Sequence, residues 1–467
     1  MKNIKNRILL LITVNMVLSL VSGCDNKTVK DSYENRLFDQ SYVHEVDIHI
    51  SEEDWADLLN DPASKTKYKV DIIVDGEEFK EVSCSTKGNS SLYFVAANED
   101  SDRYSFKINF SKNNKDQTYH GLKTINLGNI YSDPSYLKDF MSYEIFKKAG
   151  VNVPLVSYTW VKINGEDHGL YLASEDMADS FIKRNYQGKG VLYKPENDEL
   201  ELDMDQIAQI QQNGLEYPSG SKGADFIYID DDPESYPDIF ENAESKMEEA
   251  DKIRVIEALK GLASGKDLEQ YLDTDELIRY FAAHVFLMNY DSYTGPMLHN
   301  YYLYENNGRL SLIPWDYNSA FATFKSVLTE ETLNDPTAFI NSGIDTPLIL
   351  TDKEDRPMWK WIVEDEEYTR KYHEQFRKLM EDYFVSGEFV SRTDEVYKLI
   401  EPYISKDPTA FYTIDQSRKA YQTLKDFCLT RSESILKQLD GSLSSENDKQ
   451  DPADYVDAKD IHILDMR

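Results

Sequence analysis

Asp291, Asn300 and Asp316 are residue types that together could move a phosphoryl group. The first two stand in Asn289-Tyr290-Asp291-Ser292-Tyr293-Thr294-Gly295-Pro296-Met297-Leu298-His299-Asn300-Tyr301-Tyr302-Leu303-Tyr304, and the third in Ile313-Pro314-Trp315-Asp316-Tyr317-Asn318. The order is acid, amide, then acid after a hairpin. Phosphoryl transfer asks little covalent work of a protein. It needs a base for the substrate hydroxyl and oxygen ligands that hold Mg²⁺ on the phosphates. Asp291 suits the first task. Asn300 and Asp316 suit the second, because Mg²⁺ takes few carboxylates and fills its shell with phosphate oxygens and water. The order alone is not specific, since Asp and Asn are common loop residues. Asp291 and Asp316 could instead be the carboxylate pair of a glycosidase. The 32 tyrosines would suit sugar, but nothing else in the chain supports that chemistry.

These groups need elements to hold them. Leu277, Ile278, Phe281, Val285 and Met288 recur at helical spacing over 274–289, behind the cap-like start Asp273-Thr274-Asp275-Glu276. The end of that helix delivers Asp291. Tyr301–Tyr304 and Leu310–Ile313 flank Asn307-Gly308, a hairpin signal, so Asp316 falls at a strand end. Upstream, residues 42–50 and 67–74 alternate as strands, and Asp75-Gly76 turns the chain into a return strand through Val82 and Cys84. Lys87-Gly88-Asn89-Ser90-Ser91 follows, with small residues that would let backbone N–H groups approach a phosphate. In the strand Arg103–Phe110, Tyr104, Phe106, Ile108 and Phe110 share one face and Lys107 lies on the other. Asp133-Pro134 opens a helix that ends at Gly150. Within it Glu144 falls in the apolar stripe and Asp139 on the far side, so periodicity selects Glu144 if this helix supplies a carboxylate to Lys107. Asn164-Gly165 marks another hairpin, which leads into Ala173-Ser174-Glu175-Asp176. Asp230-Asp231-Asp232 reads as a solvated turn, His299 as structural, and Trp315 as a core anchor.

His299-Asn300-Tyr301-Tyr302-Leu303-Tyr304, with Pro314-Trp315-Asp316 and Ala320-Phe321, resembles the CotH family of spore-coat-associated atypical protein kinases. Lys87-Gly88-Asn89-Ser90-Ser91, Tyr104-Ser105-Phe106-Lys107-Ile108, Asp133-Pro134-Ser135, Asn164-Gly165-Glu166 and Gly169-Leu170-Tyr171 follow in family order. The resemblance spans residues 41–440. It implies an α+β fold of two lobes, atypical and protein-kinase-like. A β-rich N-terminal lobe would cover 41–175 and a mainly helical C-terminal lobe 176–440. It also implies ATP- and Mg²⁺-dependent transfer of phosphate to Ser or Thr hydroxyls of a protein substrate, with Mn²⁺ as a substitute metal. Asp291 would then be catalytic. Lys107, Lys87, Ser90, Glu144 and Glu175 would bind nucleotide, Glu175 from the hinge between lobes. Asn300 and Asp316 would hold the metal. Asn300 follows Asp291 by nine residues, against about five in the conventional kinase catalytic loop. Tyr317-Asn318 replaces the conventional Phe-Gly. The competing reading is a kinase-shaped surface binding module without catalysis, because ATP is scarce outside cells.

Export is written at the start of the chain. Lys2, Lys5 and Arg7 precede the largely apolar Ile8–Val21, a signal-peptide pattern over residues 1–23. Leu20-Val21-Ser22-Gly23-Cys24 resembles a lipobox, which implies a mature chain anchored by a diacylated Cys24, with 24–40 as a tether. Ordinary secretion is the alternative. The protein would be exported and membrane-anchored, at a cell surface or in a spore envelope. Net charge is −34, and removing a segment with three positive and no negative charges leaves −37. That balance excludes nucleic acid as a partner and suits a basic, Ser-rich protein substrate. Cys84 and Cys428 show no metal-ligand spacing, and their pairing is left open by sequence. No linker or repeat divides 41–440, and the polar, acidic 441–467 reads as a disordered tail. The anchor is testable alone. Cys24→Ser should move the protein from the membrane to the soluble fraction, because lipid chains contribute about 0.8 kcal/mol per buried CH₂. Unchanged membrane fractionation would refute the lipobox.

Overall fold

The computed structural model describes residues 32–98, 101–196, 221–329, 332–333 and 335–467. The expected signal peptide and the Cys24 anchor lie outside the described residues. Seven strands form the N-terminal part: β1 (His44–His49), β2 (Tyr68–Val74), β3 (Glu77–Lys87), β4 (Ser105–Asn109), β5 (Thr124–Gly128), β6 (Val156–Ile163) and β7 (Glu166–Glu175). Alternation puts Val46, Ile72, Val82, Phe106, Leu127 and Val161 into one core. The turns form where expected. Asp75 and Gly76 (φ 48° and 84°), and Asn164 and Gly165 (φ 54° and 85°), take the left-handed pair that tight hairpins require.

The strands run in the order β1-β2-β3-β4-β5-β7-β6 and close into a barrel. This overturns the two-lobed kinase-like fold. A sheet lobe has two free edges, whereas here β1 pairs antiparallel with β2 and parallel with β6, so no edge remains. Local pattern could not reveal that last pairing, because it joins Val46 to Val161.

Helices follow C-terminally. Two short ones, α1 (Glu52–Asn60) and α2 (Ser90–Ala96), belong to the barrel part. After them come α3 (Lys138–Ala149), α4 (Asp179–Tyr186), α5 (Glu249–Ser264), α6 (Thr274–Leu287), α7 (Pro357–Glu364), α8 (Glu366–Leu379), α9 (Glu388–Ile404) and α10 (Ile414–Asp440). A small sheet, β10-β9-β8, sits among them, with β8 Val191–Tyr193, β9 Tyr301–Asn306 and β10 Arg309–Pro314. Helix α3 joins the two parts. Its Phe140 stacks on Tyr158 of β6 at 5.3 Å, and both belong to the helical core.

Two segments expected to lie outside the cores, part of the tether and the acidic tail, are packed. The tether expectation fails from Tyr33 onward, where Leu37 and Phe38 are buried in the barrel core and the Tyr33 hydroxyl donates to Glu175 Oε1 at 2.7 Å. Residues 441–467 return along the helical part and bury Ile461, Ile463 and Met466 in its core. Few apolar residues are present there, but they are placed where they pack. Cys84 is buried in the barrel core and Cys428 in the helical core, both as free thiols. Among the described residues no helix is long and apolar enough to cross a membrane.

One fully buried ion pair ties barrel to helices. Arg103 Nη1 donates to both oxygens of Asp407 at 3.0 Å, and Asp407 also accepts the Leu170 N–H at 2.8 Å. Gly169 (φ 135°) makes room for it, because a Cβ there would lie 2.3 Å from both partners. Removing one partner leaves an uncompensated buried charge, which typically costs about 3–5 kcal/mol. Asp407→Ala should therefore lower the urea midpoint by a corresponding amount. A shift equivalent to less than about 1 kcal/mol, the surface-pair range, would show that the pair does not join the two parts.

Candidate functional site

Asp291 is delivered by the end of α6. The helix stops at Met288, whose backbone turns left-handed (φ 50°) while its N–H still bonds to His284 O at 3.1 Å. His284 is buried between Tyr317 Oη at 2.9 Å and Thr294 Oγ1 at 2.8 Å. Burial pushes its imidazole down to about 3, so it is a neutral pin rather than a proton carrier. Asn289 Oδ1 accepts the Asp291 N–H at 3.2 Å. The loop beyond is clamped by the buried Arg356, which donates to Tyr293 O and Gly295 O, each at 2.7 Å. A Cβ at Gly295 would fall 1.8 Å from Tyr290 O, so the loop closes only on glycine. Asn300 then returns to Asp291, its Nδ2 donating to Asp291 Oδ2 at 2.9 Å and to Asp291 O at 3.3 Å.

The hairpin brings Asp316 to the same place. Asn307 and Gly308 (φ 54° and 83°) turn β9 into β10, whose ladder ends with Tyr301 opposite Pro314. One step further, the Trp315 N–H donates to Asn300 O at 3.3 Å. Asn300 and Asp316 therefore flank the open end of one hairpin. Both hold left-handed backbone (φ 62° and 52°), a strained state that surrounding contacts must maintain. Two of those contacts come from α3. Asp316 N–H donates to Tyr143 Oη at 3.1 Å, and Tyr317 N–H donates to Asp139 Oδ1 at 2.6 Å.

Three carboxylates thus converge in poorly solvated surroundings. Burial, followed by the Asp316 charge, pushes Asp291 up to about 8 against the opposing hydrogen bond from Asn300. Burial and Asp316 do the same to Asp139, also to about 8, against the Tyr317 N–H. Such a cluster favours a cation. Among the described residues no set of three or more His, Cys, Asp or Glu side chains has metal-binding geometry. Asp316 with the Asn300 amide oxygen is instead the sparse oxygen set that suits Mg²⁺ completed by phosphates and water.

The barrel supplies positive charge. Lys107 points outward from β4, in register with Ser85 of β3 and Asn126 of β5. Its Nζ lies 3.0 Å from Asp176 Oδ1, which also accepts Asn126 Nδ2 at 3.0 Å. Lys87, at the end of β3, holds its ammonium 5.6 Å from the Trp315 ring. Burial lowers its pKa, Asp316 opposes that, and Lys107 and Lys194 add to it. Lys107, Lys194 and Asp316 therefore all lie close enough to act on the Lys87 ammonium. Trp315 is half-buried edge-on to Tyr302, in a small satellite core.

Two sequence-selected residues, Glu144 and Glu175, go elsewhere. Glu144 does not meet Lys107; it pairs with Arg392 Nε at 3.2 Å. Helix α3 is buried nearly all round over Phe140–Phe146, so its apolar stripe could not indicate the cleft side. Glu175 is fully buried, with its carboxylate taken by Arg184, Tyr33 and the Leu155 N–H, which leaves no oxygen for a nucleotide. Ser90 is exposed in the first turn of α2, after Gly88 (φ 104°). Asp139, Tyr143, Asp176 and Lys194 join the site without an individual sequence signal of their own. Asp139 stands in the first turn of its helix, where an acid is favoured by the helix dipole and attracts no notice.

The CotH kinase protein family matches residues 84–435, most of the chain. The chain belongs to the CotH family. A similar protein is the inner spore coat protein H of Bacillus subtilis (strain 168), 22% identical over 330 residues, which cover 69% of this chain and 80% of that protein. The CotH match begins on β3 and takes in Lys87, Lys107, Asp139, Asp176, Asp291, Asn300 and Asp316.

The raised carboxyls make a pH prediction. Asp291 titrates near 3.8 when unfolded and about 8 when folded. Across that window the folded chain keeps a proton that the unfolded chain has lost, so stability falls as pH rises and levels off above 8. Asp291→Asn keeps the acceptor for Asn300 and removes the penalty. In metal-free buffer it should match wild type near pH 4 and exceed it by at least about 1.4 kcal/mol at pH 8, the equivalent of one pKa unit. Parallel pH–stability curves would show that Asp291 is not buried against Asp316.

Proposed function

We propose that this CotH-family protein transfers phosphate from ATP to Ser or Thr hydroxyls of a protein substrate, with Mg²⁺ or Mn²⁺. The supporting observation is the Asn300 amide, which donates to Asp291 Oδ2 and flanks Asp316 across the hairpin end. One side chain thereby links the candidate base to the candidate metal ligand. Asp291, whose pKa is raised to about 8 by burial and then by the Asp316 charge, accepts the hydroxyl proton in its ionised form as the oxygen attacks. Asn300 orients that carboxylate through Nδ2 and leaves its Oδ1 for the cation, beside the Asp316 carboxylate. Bound Mg²⁺ supplies charge neutralisation on the phosphates. Lys87 and Lys107 hold the phosphate oxygens from the barrel side, with Asp176 and Asn126 fixing Lys107. The described donors fit the group, since hard oxygen ligands face a hard cation and lysines face anions.

A net charge of −34 favours a basic, Ser-rich substrate. The similar protein's description as an inner spore coat protein supports a spore-envelope or extracellular place of action, with the lipid anchor at Cys24 as the attachment.

The test uses thermal stability with nucleotide and Mg²⁺ beside a labelled-ATP assay. Asp316→Ala should abolish metal-dependent nucleotide stabilisation. Asp291→Ala should keep it and lose about 10²–10⁴-fold in transfer. Lys107→Ala should weaken nucleotide binding. Wild-type protein with no nucleotide- and Mg²⁺-dependent stabilisation would refute the kinase reading. Loss of binding in Asp291→Ala with binding kept in Asp316→Ala would reverse the two roles.

A further inference from the structure

We propose that Asp139, with Tyr143 one turn further along α3, is the positioning device that holds Asp316 in its working backbone conformation. The inference rests on the proposed function for its significance, though not for its geometry. Asp139 and Tyr143 are four residues apart, so they share one face of α3. From that face two acceptors meet two consecutive amides, Asp316 N at 3.1 Å and Tyr317 N at 2.6 Å. Asp316 is left-handed (φ 52°), a conformation less favourable than the ordinary right-handed or extended ones even for Asp, which tolerates it better than most, and contacts to its amides help to hold it. The residues before and after are otherwise anchored. Asn300 O holds Trp315 N–H at 3.3 Å, and His284 holds the Tyr317 hydroxyl at 2.9 Å. The Asp316 and Tyr317 amides are the links between these anchors, and α3 takes both.

The opposite side of α3 is clamped as well. Glu144 pairs with Arg392 Nε at 3.2 Å, and Arg392 also donates to Gln40 Oε1 at 2.5 Å. The orientation of α3 is thus set from behind, and the Asp316 turn is set by α3 in front. Asp139 acts as a hydrogen-bond acceptor in this device, and its charge is not required for it. An amide oxygen would serve as well.

The distinguishing set is Asp139→Ala, Asp139→Asn and Tyr143→Phe in the full chain. The first measurement needs no catalysis. Hydrogen–deuterium exchange of overlapping peptides that isolate the Asp316 and Tyr317 amides is followed without nucleotide or metal. Asp139→Ala should speed exchange at Tyr317 roughly tenfold, the equivalent of one lost hydrogen bond. Tyr143→Phe should do the same at Asp316, and Asp139→Asn should leave Tyr317 protected. The second measurement is the Mn²⁺ concentration giving half of the ATP-dependent thermal shift. It should rise in Asp139→Ala and Tyr143→Phe, with rescue in Asp139→Asn. Should Asp139→Ala unfold, the Asn and Phe variants still separate the outcomes. Wild-type protection at both amides in Asp139→Ala and Tyr143→Phe would overturn the proposal. Equal loss of Mn²⁺ dependence in Asp139→Asn and Asp139→Ala would overturn the acceptor role in favour of charge. Altered exchange in a protein that shows no nucleotide-dependent shift would support the positioning device while refuting the kinase reading.

Discussion

Like charges crowded where water is scarce constrain this site more than any other feature. Asp139, Asp291 and Asp316 come from a helix, a post-helix loop and a strand end, and burial, then the Asp316 charge, raises the pKa of the other two. Such a gathering is unfavourable unless the scaffold imposes it. The surrounding structure supplies that scaffold. Arg356 clamps the loop after Asp291, and Asn300 bridges the loop to the hairpin. Two α3 acceptors hold the Asp316 turn, and a neutral His284 props it from beneath. The left-handed residues Met288, Asn300 and Asp316 show where the backbone is held away from its relaxed state.

The barrel answers that negative charge. A strand puts successive side chains on opposite faces, so the alternation that fills the core with Phe106 and Ile108 turns Lys107 outward. Closure of the ring fixes this outer face, and the Arg103–Asp407 pair holds it against the helices. Lysines from the barrel and acids from the helical part therefore meet across a junction of two separate cores.

Parts of this were legible in the sequence. Asp291, Asn300 and Asp316 could be brought together because Asn307-Gly308 is a local signal that fixes its own register. The same holds for Lys107, whose outward direction follows from two-residue alternation. Barrel closure was not legible, since the parallel β1–β6 pairing leaves no mark in either strand. Periodicity favours Glu144 over Asp139, and a helix buried on most sides defeats that amphipathic signal. Glu175 sits beside Asp176, and only burial separates the structural carboxylate from the one that meets Lys107. The last 27 residues, 441–467, look disordered by composition, yet Ile461, Ile463 and Met466 dock on the helical core.

Under the proposed function, the Asp291–Asn300–Asp316 cluster is the place where a metal-bound nucleotide is handled. Anomalous diffraction from crystals soaked with Mn²⁺ and a non-hydrolysable ATP analogue tests it most directly. A manganese peak is expected at ligand distance from Asp316 and Asn300, with the triphosphate directed toward Lys87 and Lys107. A nucleotide bound elsewhere, or a metal that ignores Asp316 while the nucleotide is fully occupied, would contradict it.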